Sequence, residues 1–348
     1  MKLKYLVAVM AAVASASVLL PSAGAEFPGK NGRITFMRRD RATNLWQIWV
    51  ANGDFRNRTK VTDESADSMD SVWSPGGRRL AFDSDRADPN LNDSKVINDI
   101  LTMRPDGTGV RNLTHARGFS SDPGYAPNGK HIAFDADRGD PDHPVAIYAM
   151  RKDGTHVRRI TDPPAKVWGD LAPRFSPNGK WLAFTRYKGF NSNTNQSALF
   201  RVRRDGTHLQ RLTSYSIRVA DVDWSPNGRK LTFEAYPNKA LLGNAYVIDA
   251  NGRHLKDLTH HTTTVANGQI VDTNGGSDDP VWSPNGRKIL FGDARVLPDH
   301  RFKVGLATMR PDGSKRAFLS RNPKNSGTRP PGHVLHRAPH QPDWESIP

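Results

Sequence analysis

The chain has 348 residues, no cysteine and a formal net charge of +15. The lack of cysteine excludes disulfides, thiolate metal sites, a cysteine nucleophile and a lipid-modified cysteine anchor. The basic balance favours anionic partners, yet no long basic tract of the kind found in interaction tails occurs.

Lys2 and Lys4 give a basic start, and an apolar stretch runs from Tyr5 to Leu20. Ala23-Gly24-Ala25 follows as a small-x-small cleavage pattern, with Glu26 as the expected mature start. The apolar run is shorter than the ~20 residues a spanning helix needs. Residues 1–25 therefore read as a signal peptide, and 26–348 as one exported unit, periplasmic or secreted. No later stretch is apolar enough to span a membrane.

From Gly32 onward one phrase recurs six times. The clearest copies are Trp73-Ser74-Pro75-Gly76-Gly77-Arg78, Tyr125-Ala126-Pro127-Asn128-Gly129-Lys130, Phe175-Ser176-Pro177-Asn178-Gly179-Lys180, Trp224-Ser225-Pro226-Asn227-Gly228-Arg229 and Trp282-Ser283-Pro284-Asn285-Gly286-Arg287. The turn glycines Gly32, Gly77, Gly129, Gly179, Gly228 and Gly286 lie 45, 52, 50, 49 and 58 residues apart. A period near 50 with several short strands per unit marks a β-propeller.

Residues 67–114 show one unit. An inner strand ends at Trp73, and Pro75-Gly76-Gly77 turns the chain. Arg79-Leu80-Ala81-Phe82 alternates as a second strand, Ile100–Met103 forms a third, and Asp106-Gly107 turns into an outer strand closing on Leu113-Thr114. The pattern predicts four-stranded antiparallel blades, with both turns on one face of the disc and the long loops on the other. Helical periodicity is missing from the mature chain.

The first unit lacks an inner strand. Gln341-Pro342-Asp343-Trp344-Glu345 reads as a spare one, separated from the last blade by the linker-like segment 321–340. Joining the two closes a six-bladed ring and hides two open edges.

Asp279-Pro280-Val281-Trp282-Ser283-Pro284-Asn285-Gly286-Arg287, followed by a strand ending at Phe291, resembles the TolB-like, WD40-like propeller repeat. Ser84-Asp85-Arg86 repeats a further phrase common in that family. The resemblance covers residues 28–348 and implies a propeller fold rather than an activity. The first blade begins close to the predicted cleavage site, so the α/β domain that precedes the propeller in TolB is not expected. No Gly-x-Ser-x-Gly elbow of the hydrolase-linked propellers occurs.

Function is expected where the copies differ. Three residues before the inner aromatic stand Asp70, Asp122, Asp221 and Asp279, with Ala172 and Gln341 in the other two blades. That register aims four carboxylates at the mouth of a central channel, as a binding site for a polar ligand or Ca²⁺. The plainer alternative is that each Asp caps its own turn. Asp83, Asp85, Asp135 and Asp137 suggest an acidic loop face, and Arg78, Lys130, Lys180, Arg229 and Arg287 a basic turn face. His260, His261, His300, His333, His336 and His340 have no zinc-protease spacing and read as structural. The expected function is an exported, non-enzymatic binding or scaffolding module whose loop face holds an envelope protein or an anionic cell-wall polymer. The alternative is a lyase, lactonase or other hydrolase working at the channel mouth. Nucleic acid is not an expected partner, because no aromatic-rich basic strand face is present.

Overall fold

A computed structural model describes residues 27–63, 65–88, 98–115, 118–139, 143–189, 196–237, 242–266, 269–297, 302–319, 325–326 and 340–347. The predicted signal peptide and most of segment 321–340 lie outside them.

Six antiparallel sheets of four main strands follow one another around a ring. Blade 2 has the strands Ser68–Trp73, Leu80–Ser84, Asp99–Met103 and Arg111–Asn112, paired in sequence order. Blades 3 to 6 repeat this order, with inner strands Ser120–Tyr125, Gly169–Phe175, Val219–Trp224 and Gly275–Trp282. Blade 6 adds Asn325–Ser326, paired with its third strand Phe302–Met309. The described residues include one helical turn, a 3-10 segment at Tyr215–Ile217.

Blade 1 is assembled from both ends of the chain. His340–Ile347 pairs antiparallel with Lys30–Arg39, placing Trp344 opposite Ile34. The expected ring closure is therefore present.

The repeated residues have local reasons. Gly77, Gly129, Gly179, Gly228 and Gly286 hold φ between 63° and 69° at the first turn, a region that penalises a Cβ. Each donates its backbone N–H back three residues, as Gly77 does to the Ser74 carbonyl at 2.9 Å. The threonine of each Leu-Thr phrase fastens the outer strand. Thr62, Thr114, Thr161, Thr213 and Thr259 accept the backbone N–H of Ile48, Ile100, Ile147, Leu199 and Ala245 at 2.9–3.0 Å.

Blades pack face to face through apolar clusters. Val72, Ala81 and Ile100 of blade 2 meet Tyr125, Ile132 and Phe134 of blade 3. The closing seam is built alike, with Ile34, Phe36 and Trp344 of blade 1 against Val281, Leu290 and Leu306 of blade 6. Apolar burial on both faces of every sheet supplies the main stabilising term.

The connection between blades 5 and 6 contains a small hairpin, Thr263–Ala266 with Gln269–Thr273. Its run of β-branched residues (Thr262, Thr263, Thr264, Val265) before Asn267-Gly268 carries a hairpin signal.

Candidate functional site

The third residue before the inner aromatic is left-handed in all six blades. Asp70, Asp122, Ala172, Asp221, Asp279 and Gln341 have φ from 47° to 56°. In blades 2 to 6 the register of the inner strand shifts at this residue, as a β-bulge. Aspartate tolerates the left-handed region better than most residues, which is one reason for its choice.

The neighbouring blade supplies acceptors for the backbone this bulge exposes. Ala172 donates its N–H to Asp135 Oδ1 at 3.1 Å, from blade 4 to blade 3. Gln341 donates to Asp279 Oδ2 at 3.0 Å, from blade 1 to blade 6. Two more carboxylates act beside the aromatic: Trp73 N–H donates to Asp343 Oδ2 at 2.7 Å and Trp282 N–H to Asp223 Oδ2 at 2.6 Å. Each of these bonds fixes one blade against the next. Asp279 does not simply cap its own turn; it clips the closing strand.

The four predicted aspartates all turn inward, together with six acids outside the predicted set. Asp70, Asp83, Asp122, Asp135, Asp221, Asp223, Glu234, Asp278, Asp279 and Asp343 are each at most 3% exposed. The predicted four lie within their inner strands, each at most 1% exposed. One expectation is corrected. Asp83 and Asp135 belong to this interior and not to an acidic loop face, because they follow the buried Phe82 and Phe134 on the second strand and reach the neighbouring inner strand.

Buried, crowded carboxylates resist ionisation. Burial, followed by the Asp122 and Asp83 charges, pushes Asp70 well above the usual carboxylate range. Burial likewise raises Asp122, with Asp135 adding to it. Asp83 and Asp135 are pushed up to about 7, chiefly by burial, while Ser121 Oγ donating to Asp135 Oδ2 at 2.8 Å partly offsets the shift. Glu234 is raised by burial and then by Asp279 and Asp278. Arg174, fully buried, opposes the rise at Asp122, Asp135 and Asp343.

Within this set Asp221, Glu234 and Asp279 come closest to a cation site. Each offers a carboxylate oxygen, and the three oxygens lie within 4.8 Å of one another. Gly243 leaves the space that Glu234 occupies, since a Cβ there would stand 2.1 Å from Oε1. Three hard oxygen donors suit Ca²⁺ better than a soft metal. Asp70 and Asp122 are instead grouped with Asp83 and Asp135. Sequence reasoning missed Glu234, although a signal existed: an acid directly after the second-strand phenylalanine recurs at Asp83, Asp135 and Glu234.

His261 anchors the hairpin connection. Its Nε2 lies 3.1 Å from Ser277 Oγ and its Nδ1 3.2 Å from Asn274 Oδ1, and it contacts Arg316, which pairs with Asp293. Burial, then the Arg316 charge, lowers its imidazole to about 4. A neutral, buried imidazole fits the structural role expected of it. His300, His333 and His336 lie outside the described residues.

No family model matches the chain. An uncharacterized peptidase, YuxL, of Bacillus subtilis is 25% identical over 224 residues, covering 64% of this chain and 29% of the relative. A TolB homolog of Chlorobium luteolum is 30% identical over 145 residues, covering 40% and 28%. Among solved structures, TolB from Acinetobacter baumannii superposes with a TM-score of 0.65 at 20% identity, covering 92% of this chain and 68% of that one. The chain spans about half the length of one curated relative and under a third of two others. Among the described residues no helix is long and apolar enough to cross a membrane. By its repeats and its ring the chain is a six-bladed β-propeller, similar in sequence to a TolB homolog and in fold to TolB.

Proposed function

We propose that this chain is an exported, non-enzymatic binding propeller that holds an envelope protein or polymer through its loop face. The carrying observation is the contrast between blades and loops. Among the described residues the six blades share strands and turns, and five of them the threonine fastener, while the loop side carries an element without counterpart, the hairpin Thr263–Ala266/Gln269–Thr273. A scaffold kept uniform beneath varied loops is the arrangement by which propellers recognise partners. The TolB-like ring supports this reading, and the basic start and small-x-small pattern of residues 1–25 support export.

The test is partner capture from envelope extracts by wild type and by a variant with residues 264–272 replaced by a short Gly-Ser link. Loss of the captured partner with an unchanged melting temperature supports loop-face binding. Full retention by that variant, and by variants of the other loops, overturns it.

One observation favours a second role for the interior. The Asp221–Glu234–Asp279 oxygens form a hard-ligand set, and a cation there would relieve repulsion among buried acids. Burial of all three away from solvent suits a structural ion better than a catalytic one, since a substrate for a lyase or hydrolase must reach the metal.

A further inference from the structure

At one pair of positions on the turn face the cations are not spread evenly. The two residues before the Asp-Gly turn are Arg151-Lys152 in blade 3 and Arg203-Arg204 in blade 4. The same positions are Arg104-Pro105, Asp249-Ala250 and Arg310-Pro311 in blades 2, 5 and 6. Only blades 3 and 4 therefore double the charge, and they are adjacent.

Backbone bonds draw these residues into one row. Lys152 N–H donates to the Lys130 carbonyl at 3.0 Å, joining the two turns of blade 3. Arg204 N–H donates to the Lys180 carbonyl at 3.0 Å, joining those of blade 4. Arg158 of blade 3 then reaches across, its guanidinium donating to the Arg204 carbonyl at 2.6 Å. Lys130, Arg151, Lys152, Arg158, Lys180 and Arg204 are all exposed.

The nearby acids are engaged locally. Asp153 accepts from Thr155 N–H at 3.0 Å and Thr155 Oγ1 at 2.7 Å, and Asp205 accepts from Thr207 in the same way. Among the described residues none of the six cations has a carboxylate within ion-pair distance. His131, opposite Arg151 in the strand register, reports the field: its imidazole is lowered by burial and then by Arg204, Arg158, Arg151 and Lys130.

We propose that the turn edge of blades 3 and 4 is a docking track for a linear polyanion bearing phosphate groups. The backbone bonds hold the turns that carry these six exposed cations side by side, the Arg158 guanidinium is anchored on the Arg204 carbonyl, and arginine forks bind phosphate oxygens bidentately. The doubled pair occurs in two adjacent blades, linked by Arg158 and Arg204, and a short row of that kind suits a strand-like polymer. A flat anionic bilayer would meet every blade, including blade 5, where the Asp249 carboxylate already pairs with Lys230. The track lies on the face opposite the loops and stands independently of the loop-face reading.

The probe is long-chain polyphosphate, measured by calorimetry across a salt series, with orthophosphate and phosphatidylglycerol vesicles in parallel. The doubly substituted Lys152→Ala/Arg204→Ala variant is compared with Arg229→Ala/Arg287→Ala on blades 5 and 6. Wild type is expected to bind polyphosphate with affinity that falls steeply with salt. The blade 3–4 variant should lose at least tenfold in affinity and reduce the salt slope by about 2, roughly one per cation removed. The blade 5–6 variant should bind like wild type, and His131 should show a higher NMR pKa in the complex. Equal losses in the two variants would overturn the proposal in favour of a diffuse basic face. Vesicle binding without polyphosphate binding would overturn it in favour of a membrane. A loop-shortened variant that still binds polyphosphate keeps this result separate from the loop-face test.

Discussion

Replacing Trp344 by alanine tests the seam on which the whole ring depends. The indole is 3% exposed and packs with Ile34, Phe36 and Ala51 of its own blade and with Val281, Leu290 and Leu306 of blade 6. Its Nε1–H donates to the Gly32 carbonyl at 3.3 Å. Losing a buried tryptophan to alanine costs about 3–5 kcal/mol in transfer and cavity terms. The lost hydrogen bond is worth about 1 kcal/mol. A domain of this kind has about 5–15 kcal/mol in all, so the variant should be strongly destabilised and could fall near its folding threshold. Trp344→Phe keeps most of the apolar volume and removes the Nε1–H, so its loss should be smaller, about 1–3 kcal/mol. Equilibrium denaturation followed by circular dichroism gives both values. The seam also carries Arg33 Nη2 on Glu345 Oε1 at 2.8 Å, but Arg33 is partly exposed, and Glu345→Gln should cost under about 1 kcal/mol. A Trp344→Ala shift below about 1 kcal/mol, or a truncation before His340 that melts like wild type, would refute the claim that this strand closes the ring.

Two further outcomes concern the interior acids. Asp83 and Asp135 are held at about 7, above their unfolded range near 4. Between those values the folded protein keeps protons that the unfolded chain has released, so the contribution of these two acids to stability is full below about 4 and is lost as pH rises through 7. His261, held at about 4, acts in the opposite sense below its unfolded value of about 6.5, which leaves pH 6.5 to 8 free of its contribution. Denaturation midpoints should fall across that window in wild type and stay flatter in Asp83→Asn/Asp135→Asn; equal slopes would contradict the assignment. Calcium should raise the melting temperature through Asp221, Glu234 and Asp279, with about 2.7 kcal/mol expected at a hundredfold excess over the dissociation constant. Asp221→Asn/Asp279→Asn should abolish the response, and a wild type indifferent to both calcium and chelator would leave these acids as inter-blade clips alone.

Blade number, strand order and closure at Trp344 were legible because each depends on short-range signals repeated in register. A Pro-Asn-Gly turn or a Leu-Thr fastener acts within a few residues, and six copies raise a weak local signal above chance. The hairpin at Thr263–Thr273 occurs once, so no repetition drew attention to it. The aspartate register was visible as a pattern, but the left-handed bulge at each of these residues interrupts strand alternation, so the surroundings of their side chains were not legible from spacing.

Sequence alone thus determined that this chain is a closed ring of six four-stranded blades and marked Asp70, Asp122, Asp221 and Asp279 as unusual. Only the tertiary structure decided what surrounds them. Glu234 lies thirteen residues from Asp221 in the chain and forty-five from Asp279, yet the three present their oxygens within 4.8 Å. Arg158 and Arg204 come from different blades and meet at 2.6 Å. Those distances follow from the angle at which one blade packs on the next, which is set by side chains such as Phe134 and Trp344 filling the space between sheets. Packing of that kind sums many weak contacts between residues far apart in sequence, and no local spacing encodes it.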